Sequence, residues 1–110
     1  KSLGRNDILS DARVEIMKQL PSGQLTDDSL AEALHMSTRT LQRRLKDKAI
    51  GYRDLLESVR QELADLYIND PKYSITEISY LLGFAEPSSF ARSFKRWTGN
   101  SPSQSRNHKS

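Results

Sequence analysis

The sequence contains no cysteine, one tryptophan and only two histidines, His35 and His108. Without cysteine the chain forms neither disulfides nor thiolate zinc sites. The two histidines lie far apart, one in an expected turn and the other in a polar tail, so we expect no metal site and no cofactor. No apolar run approaches the roughly 20 residues of a membrane span, and no signal peptide is recognisable, which predicts a soluble, cytoplasmic protein.

Residue sets that support catalysis are also missing. The sequence shows no Ser/His/Asp or Cys/His arrangement and no glycine-rich phosphate loop. Its 110 residues leave no space for an enzyme core beside a binding domain. We therefore expect a protein that is not an enzyme. Because the chain starts with Lys1 rather than Met, we interpret it as a fragment of a longer protein.

The net charge of +3 is modest, but it is unevenly distributed. Residues 38–53 carry six basic side chains against one acidic side chain, and residues 86–110 carry five against one. The segments 1–37 and 54–85 are net acidic. Two basic blocks separated by acidic segments predict two contact surfaces for a polyanion. The alternative is that both blocks are only solvated helix faces.

Apolar residues recur at spacings of three and four along nearly the whole chain, and no stretch alternates as a strand does, which predicts an all-α fold. A first helix is expected from residue 7 to residue 20, ended by Pro21-Ser22-Gly23. Its inward positions are predicted to be Leu9, Ala12, Ile16 and Leu20.

Two similar helix pairs follow, about 48 residues apart. Thr26 and Ser74 are suited to cap the first helix of each pair, and Ser37 or Thr38 to cap the second helix of the first pair. Pro87 suits the first position of the last helix. The order Leu…(Leu/Phe)-x-Arg-x-(Leu/Phe)-Lys ends at Lys46 in one pair and at Lys95 in the other. The repeat predicts duplication of one structural unit.

A long helix is expected between the pairs, closed by Pro71. Its apolar stripe is predicted to consist of Tyr52, Leu55, Leu56, Val59, Leu63 and Leu66. Such a helix would act as a stiff spacer about 27 Å long. Its acidic residues disfavour contact with phosphates: Asp54, Glu57, Glu62 and Asp65. The predicted organisation is a first lobe at 7–51, a linker helix at 52–70 and a second lobe at 71–107.

Each pair has a short helix, a tight turn and a second helix with a basic outer face, which is the plan of a helix-turn-helix unit. A helix fits the major groove of double-stranded DNA, where arginine pairs with guanine and glutamine with adenine. In the first unit we predict base contacts from Arg39, Gln42 and Arg43. Phosphate contacts are predicted from Thr38, Arg44, Lys46 and Lys48.

In the second unit the predicted base contacts are Ser88, Ser89 and Arg92, and the predicted phosphate contacts are Lys95 and Arg96. Glu86 either accepts a hydrogen bond from cytosine or acts at the helix start as a dipole partner or cap, and the second role is favoured. Aromatic side chains at helical spacing are interpreted as core rather than base-stacking residues: Phe84, Phe90, Phe94 and Trp97.

The segment 74–102, with its Gly-Phe turn, Phe-x-Arg-x-Phe-Lys helix and closing Ser-Pro, resembles the signature of AraC/XylS-type bacterial transcription regulators. Residues 30–46 resemble the first helix-turn-helix of that family, and Val59-Arg60 with Leu63-Ala64 resembles its linker helix. The resemblance extends from about Ile8 to Arg106. It implies about seven helices in two lobes, with both recognition helices in successive major grooves.

The resemblance also implies activation of transcription through contact with RNA polymerase, and a sensory or dimerisation domain elsewhere in the full protein. Three positions depart from the family pattern. Ala49 stands where glycine is usual, which predicts a helix end that is either slightly different or strained. Ser105 replaces an aromatic residue in the last helix, and Pro87 removes a polar side chain that some members place on DNA. The competing interpretation is a helical protein-interaction module without base readout.

Overall fold

A computed structural model of the protein describes residues 7–107, and within this range it contains seven α-helices and no strand. The all-α prediction is therefore confirmed. A short 3₁₀ turn, Leu20–Ser22, directly follows the first helix. The helices are α1 (Ile8–Gln19), α2 (Asp27–Ala33), α3 (Thr38–Asp47), α4 (Tyr52–Ile68), α5 (Ile75–Leu81), α6 (Pro87–Thr98) and α7 (Pro102–Asn107).

Side-chain caps define where most of the helices begin. The predicted caps Thr26 and Ser74 both form reciprocal capping boxes, with Ser29 and Glu77 respectively at the third helical position. Ser37, rather than the alternative Thr38, caps α3 by accepting a hydrogen bond from the Thr40 backbone N–H at 3.1 Å. These caps satisfy backbone donors that the first helical turn leaves unpaired.

The two helix pairs repeat one another in backbone detail. The turn after α2 has a left-handed residue, His35, with a φ of +61°, and the turn after α5 has Gly83, with a φ of +82°. A hydrogen bond then closes each turn at 3.0 Å, from the Met36 N–H to the Ala31 carbonyl and from the Phe84 N–H to the Ser79 carbonyl. The predicted duplication of one unit is therefore present in the structure.

The first hydrophobic core joins α1, α2, α3 and the first half of α4. The predicted inward residues Ala12, Ile16 and Leu20 are buried, while Leu9 is half-buried at the edge. Ile8, which was not predicted, is buried beside them. The remaining buried members of the first core are Leu30, Ala31, Leu41, Leu45, Leu55 and Val59.

The second core joins the end of α4 to α5 and α6. Phe90 and Phe94 are completely enclosed, at 0% and 1% exposure, so they are core residues and cannot stack on bases. Phe84 and Trp97 pack against this core from its edge. The prediction that the aromatic residues form core rather than stacking platforms is confirmed. Burial of such large rings dominates the packing energy of a small unit.

The prediction that Leu66 faces inward from α4 is wrong. Leu66 is 66% exposed, and the buried positions in this half of the helix are Ala64 and Ile68. The helix leaves the first core after Val59 and enters the second at Ala64, and Leu63 packs against both cores. Successive residues of a helix point in different directions around its axis. A helix that packs against two cores on different sides therefore buries a different set of positions against each core.

The units also touch directly, in addition to being joined by α4. The Arg60 guanidinium donates to the carbonyl of Leu82 at 2.7 Å and to that of Gly83 at 3.2 Å. It lies 4.3 Å from the centre of the Phe84 ring. Leu20 packs against Gly83 from the other unit. The linker helix is therefore more than a spacer, since its Arg60 binds the turn that follows α5.

One departure from the family pattern has a visible consequence, and a second does not prevent its helix from forming. Ala49, at the end of α3, has a φ of +62°, which is the strained conformation that the missing glycine predicts. The last helix, α7, forms despite Ser105. Arg106 from α7 donates to the carbonyls of Tyr67, Ile68 and Asp70, which closes the end of α4.

Within residues 7–107 no helix is long and apolar enough to cross a membrane. The same part of the chain contains no group of three or more His, Asp or Glu side chains arranged to hold a metal ion. His35 lies exposed in the turn after α2. His108 lies outside the described residues.

Candidate nucleic-acid interface

The outer face of α3 is set by the two leucines on its inner face. Leu41 and Leu45 are buried at 0% exposure, which turns the intervening positions outward. Thr38 is half-buried, and the other predicted contact residues of this unit are exposed: Arg39, Gln42, Arg43, Arg44, Lys46 and Lys48. Residues three and four positions apart share one helix face, so Arg39, Gln42 and Arg43 are neighbours.

Three of these residues contact acidic side chains that lie outside α3. Thr38 donates a hydrogen bond to Asp28 at 2.5 Å, and Gln42 Nε2 donates to Asp27 at 3.2 Å. The Lys48 ammonium lies 3.9 Å from the Asp7 carboxylate. The sequence suggests Asp27 and Asp28 only as favourable charges at the start of α2. Their reach to α3 depends on how the two helices pack.

The outer face of α6 arises in the same way. Phe90 and Phe94 face the core, so Ser88, Arg92 and Lys95 are exposed and Ser89 is half-buried. Pro87 occupies the first helical position, as predicted. Without a backbone N–H, proline fits that position because the first donors of a helix have no partner within it.

Glu86 occupies the cap position of α6, but its side chain makes no capping hydrogen bond to the backbone. Its carboxylate instead accepts a hydrogen bond from the Ser88 hydroxyl at 3.2 Å. The favoured prediction was therefore only partly right, since the residue lies at the helix start without capping it. Its negative charge still lies beside the positive end of the helix dipole.

Arg96 differs from the other predicted phosphate-binding residues because it has an acidic partner on α4. Its guanidinium lies 2.6 Å from the carboxylate of Glu57, which also accepts a hydrogen bond from the Trp97 indole N–H. The bond from Trp97, followed by that from Arg96, lowers the pKa of Glu57 below its ordinary value. The predicted acidic character of α4 thus acts on a basic residue of α6 within the domain.

A cleft of about 780 Å³ separates α3 from α6, with the start of α4 at its base. Gln42 lines it from α3, and Ser93 and Arg96 line it from α6. Burial raises the pKa of the Tyr52 hydroxyl at its base, and the nearby Asp27 carboxylate adds to the shift. Of the predicted site residues, Gln42 and Arg96 line this cleft; the others are exposed, except the half-buried Thr38 and Ser89.

The cleft also contains a basic residue that the site prediction omitted. Arg53, in the first turn of α4, is exposed and lines the cleft beside Tyr52. The signal was present in the sequence, because residues 38–53 form one basic block that ends at this arginine. Its position on the linker helix, beside Asp54, separated it from the predicted recognition residues.

Residues 30–108 match a family described as a helix-turn-helix domain. The HTH-type transcriptional regulator VirS of Mycobacterium tuberculosis is 38% identical over 99 residues, which cover 89% of this chain and 29% of that protein. The chain thus spans less than a third of the length of this curated relative.

Two solved structures share both the fold and appreciable sequence identity. The C-terminal domain of AraT, a response regulator from Geobacillus stearothermophilus, is 32% identical, with a TM-score of 0.79 over 94% of this chain and 86% of that one. The DNA-binding domain of AdpA, a global transcriptional factor in complex with a target DNA, is 26% identical, with a TM-score of 0.77 over 94% and 93% of the two chains.

Proposed function

This chain belongs to the AraC/XylS-type family of sequence-specific DNA-binding domains with helix-turn-helix units, and we propose that it places α3 and α6 in successive major grooves on one face of the duplex. The observation that carries the proposal is the shared cleft. Gln42 from α3 and Arg96 from α6 line the same cleft, so the two helices border one side of the molecule. A single straight or gently bent duplex can therefore reach both.

The dimensions of the domain support two simultaneous contacts. The chain extends over 43 × 27 × 24 Å. Major grooves on one face of B-form DNA recur at about 34–36 Å. The long axis of the domain is therefore sufficient for two groove contacts, and the contact between the units at Leu20 and Gly83 holds their spacing. We propose the unit boundaries 7–51, 52–70 and 71–107 on the same basis, with one hydrophobic core on each side of the linker helix.

Base readout is assigned to residues in the first turns of both helices, which are exposed except for the half-buried Ser89. Arg39 and Arg43 supply planar guanidinium groups suited to guanine, and Gln42 supplies an amide suited to adenine. In α6 the corresponding residues are Arg92, Ser88 and Ser89. Positions further along each helix are assigned to phosphates, which orient the protein without reading sequence: Arg44, Lys46, Lys48, Lys95 and Arg96, with Thr38 at the start of α3.

Binding to DNA requires an exchange of partners for assigned residues that contact acidic side chains, among them Thr38, Gln42, Lys48 and Arg96. Gln42 must leave Asp27 to pair with a base, and Arg96 must leave Glu57 to reach a phosphate. These contacts are solvent-exposed, and an exposed ion pair such as that of Arg96 with Glu57 contributes only about 0–1 kcal/mol, so its exchange costs little.

We propose that the full-length protein adds a sensory or dimerisation domain and contacts RNA polymerase, within the bacterial cytoplasm and its nucleoid. The greater length of VirS supports an additional domain. Large exposed apolar side chains offer contacts for such partners: Val14, Met17, Leu66 and Tyr80. The matched relatives are named as transcriptional regulators, which supports binding rather than catalysis as the role of this domain.

Selection from a pool of random double-stranded oligonucleotides, followed by sequencing, tests the proposed function. We expect a motif in two parts whose centres lie about one helical turn, 10–10.5 base pairs, apart. Inserting five base pairs between the two parts should abolish specific binding, because the second half-site then faces the opposite side of the duplex. Inserting ten base pairs instead returns the second half-site to the same side of the duplex. That insertion tests whether the rigid contact between the units forbids a wider spacing.

The same selection distinguishes the proposed function from the alternative, a protein-interaction module. Such a module would enrich no sequence and would bind random duplexes only weakly, through its net positive charge. Enrichment of a motif in one part only, indifferent to changes in its flank, would show that α3 or α6 alone reads DNA.

A further inference from the structure

Arg53 occupies a position between the two recognition helices. It lies in the first turn of α4 and lines the cleft that Gln42 borders from α3 and Arg96 borders from α6. Its side chain is exposed. The basic block of residues 38–53 ends at Arg53, but the site prediction gave this arginine no role because it belongs to the linker helix rather than to a helix-turn-helix unit.

Three guanidinium groups line this cleft, and two of them are engaged within the protein. Arg60 donates to the carbonyls of Leu82 and Gly83 and lies over the Phe84 ring. Burial lowers the pKa of its guanidinium, in keeping with a structural position. Arg96 is paired with Glu57 at 2.6 Å. Each of these two groups therefore already has a partner within the protein.

Arg53 differs from both, because it makes no ion pair and no side-chain hydrogen bond with any residue from 7 to 107. The two carboxylates of the cleft are already occupied, Asp27 by Gln42 and Glu57 by Arg96 and Trp97. The neighbouring Asp54 is not part of the cleft lining. The cleft therefore presents one exposed guanidinium with its donors unused, a group suited to phosphate oxygens.

We infer that Arg53 binds the DNA phosphate backbone in the stretch between the two major grooves, so that the linker helix supplies a third point of contact. The inference rests on the proposed function. If α3 and α6 occupy successive grooves, the backbone that separates those grooves must pass over the surface between the two helices. Arg53 is at that surface, whereas the linker acids Glu62 and Asp65 are not part of the cleft lining.

The first test compares the wild-type domain with Arg53→Ala and Arg53→Lys in fluorescence anisotropy titrations. The probes are the duplex selected by the domain and a random duplex, each measured over a series of salt concentrations. We expect Arg53→Ala to weaken both duplexes by a similar factor and to reduce the slope of log K against log salt by about 0.9, the value for one lost phosphate contact. Arg53→Lys should keep the slope.

Lys72→Ala is the matched control. Lys72 is also exposed, but it lies in the segment between α4 and α5 and outside the cleft lining. Removing it deletes the same unit of charge, so it reports the effect of net charge alone. We expect its salt slope to equal that of the wild type. An equal reduction of slope in Lys72→Ala and Arg53→Ala would overturn the inference.

A second test locates the contact on the DNA. Single phosphates of the selected duplex are replaced by neutral methylphosphonates, one position at a time. Wild type should lose affinity at one or two positions between the half-sites, and Arg53→Ala should be insensitive at those positions. Undiminished sensitivity in the variant would overturn the inference while leaving the proposed function intact. Failure of the wild type to select any duplex would instead contradict the proposed function itself.

Discussion

Gly83 in the second unit lies directly against Leu20 in the first. A methyl group at position 83 would stand 3.0 Å from Leu20 Cδ2 and 3.1 Å from the Leu20 carbonyl oxygen. The backbone there is also left-handed, with a φ of +82°. The same glycine therefore satisfies the tight turn before α6 and the contact that fixes the two units relative to each other.

We expect Gly83→Ala to lower the free energy of unfolding by about 2–5 kcal/mol. The left-handed conformation costs about 1–2 kcal/mol for a residue with a Cβ, and forcing extra volume into a packed contact costs about 1–3 kcal/mol. Urea denaturation measures the loss. Gly23→Ala is the control, because Gly23 has a φ of +73° but no atom within 4 Å of the added methyl. Equal losses in the two variants would contradict a close contact at Gly83.

Ala49→Gly should stabilise the domain. Ala49 is exposed and has a φ of +62°, a conformation that glycine adopts without steric cost. The relief is partly offset by the greater freedom of glycine in the unfolded chain, so the expected gain is about 0.5–1 kcal/mol. Thermal unfolding should show a rise in Tm of a few degrees. Ala91→Gly, within α6, should instead lose about 1 kcal/mol, and a loss in both variants would argue against strain at Ala49.

The contact between Glu57 and Trp97 predicts an acid transition that fluorescence can follow. Because the folded-state pKa of Glu57 is lowered, its stabilising contribution is fully present above the unfolded value of about 4.3 and is lost as the pH falls through the folded pKa. Trp97 is the only tryptophan, so its emission reports this site. We expect a change below pH 4.3 in the wild type that Glu57→Gln removes. Persistence of the change in the variant would assign it to another group.

Substitutions in the recognition helices should separate base contacts from phosphate contacts. Arg43→Ala and Arg92→Ala should each cost about 1–3 kcal/mol on the selected duplex and relax the preference at one base pair, because each removes a planar donor pair. Lys95→Ala should weaken selected and random duplexes alike, since it removes only a phosphate contact. Competition assays with single-base variants of the site measure both effects. Equal losses on selected and random DNA for all three would contradict these roles.

Much of the fold could be predicted because it depends on local features of the chain. The caps Thr26, Ser37 and Ser74 act on donors within three residues, and apolar spacing of three and four residues marks each helix wherever it lies. The duplication is visible for the same reason, since a repeated local pattern folds into a repeated local structure. His35 and Gly83 occupy equivalent turns without sharing a residue type, because His35 is exposed while Gly83 faces Leu20.

Only the tertiary structure decided which residues meet across the chain. The rotation of the buried stripe from Val59 to Ala64, which exposes Leu66, follows from the positions of two separate cores. The pairing of Arg96 with Glu57, and the place of Arg53 between α3 and α6, depend on the angles at which helices pack. Sequence determines a helix and its faces through interactions a few residues long, whereas the partners of each face are set by the packing of distant segments.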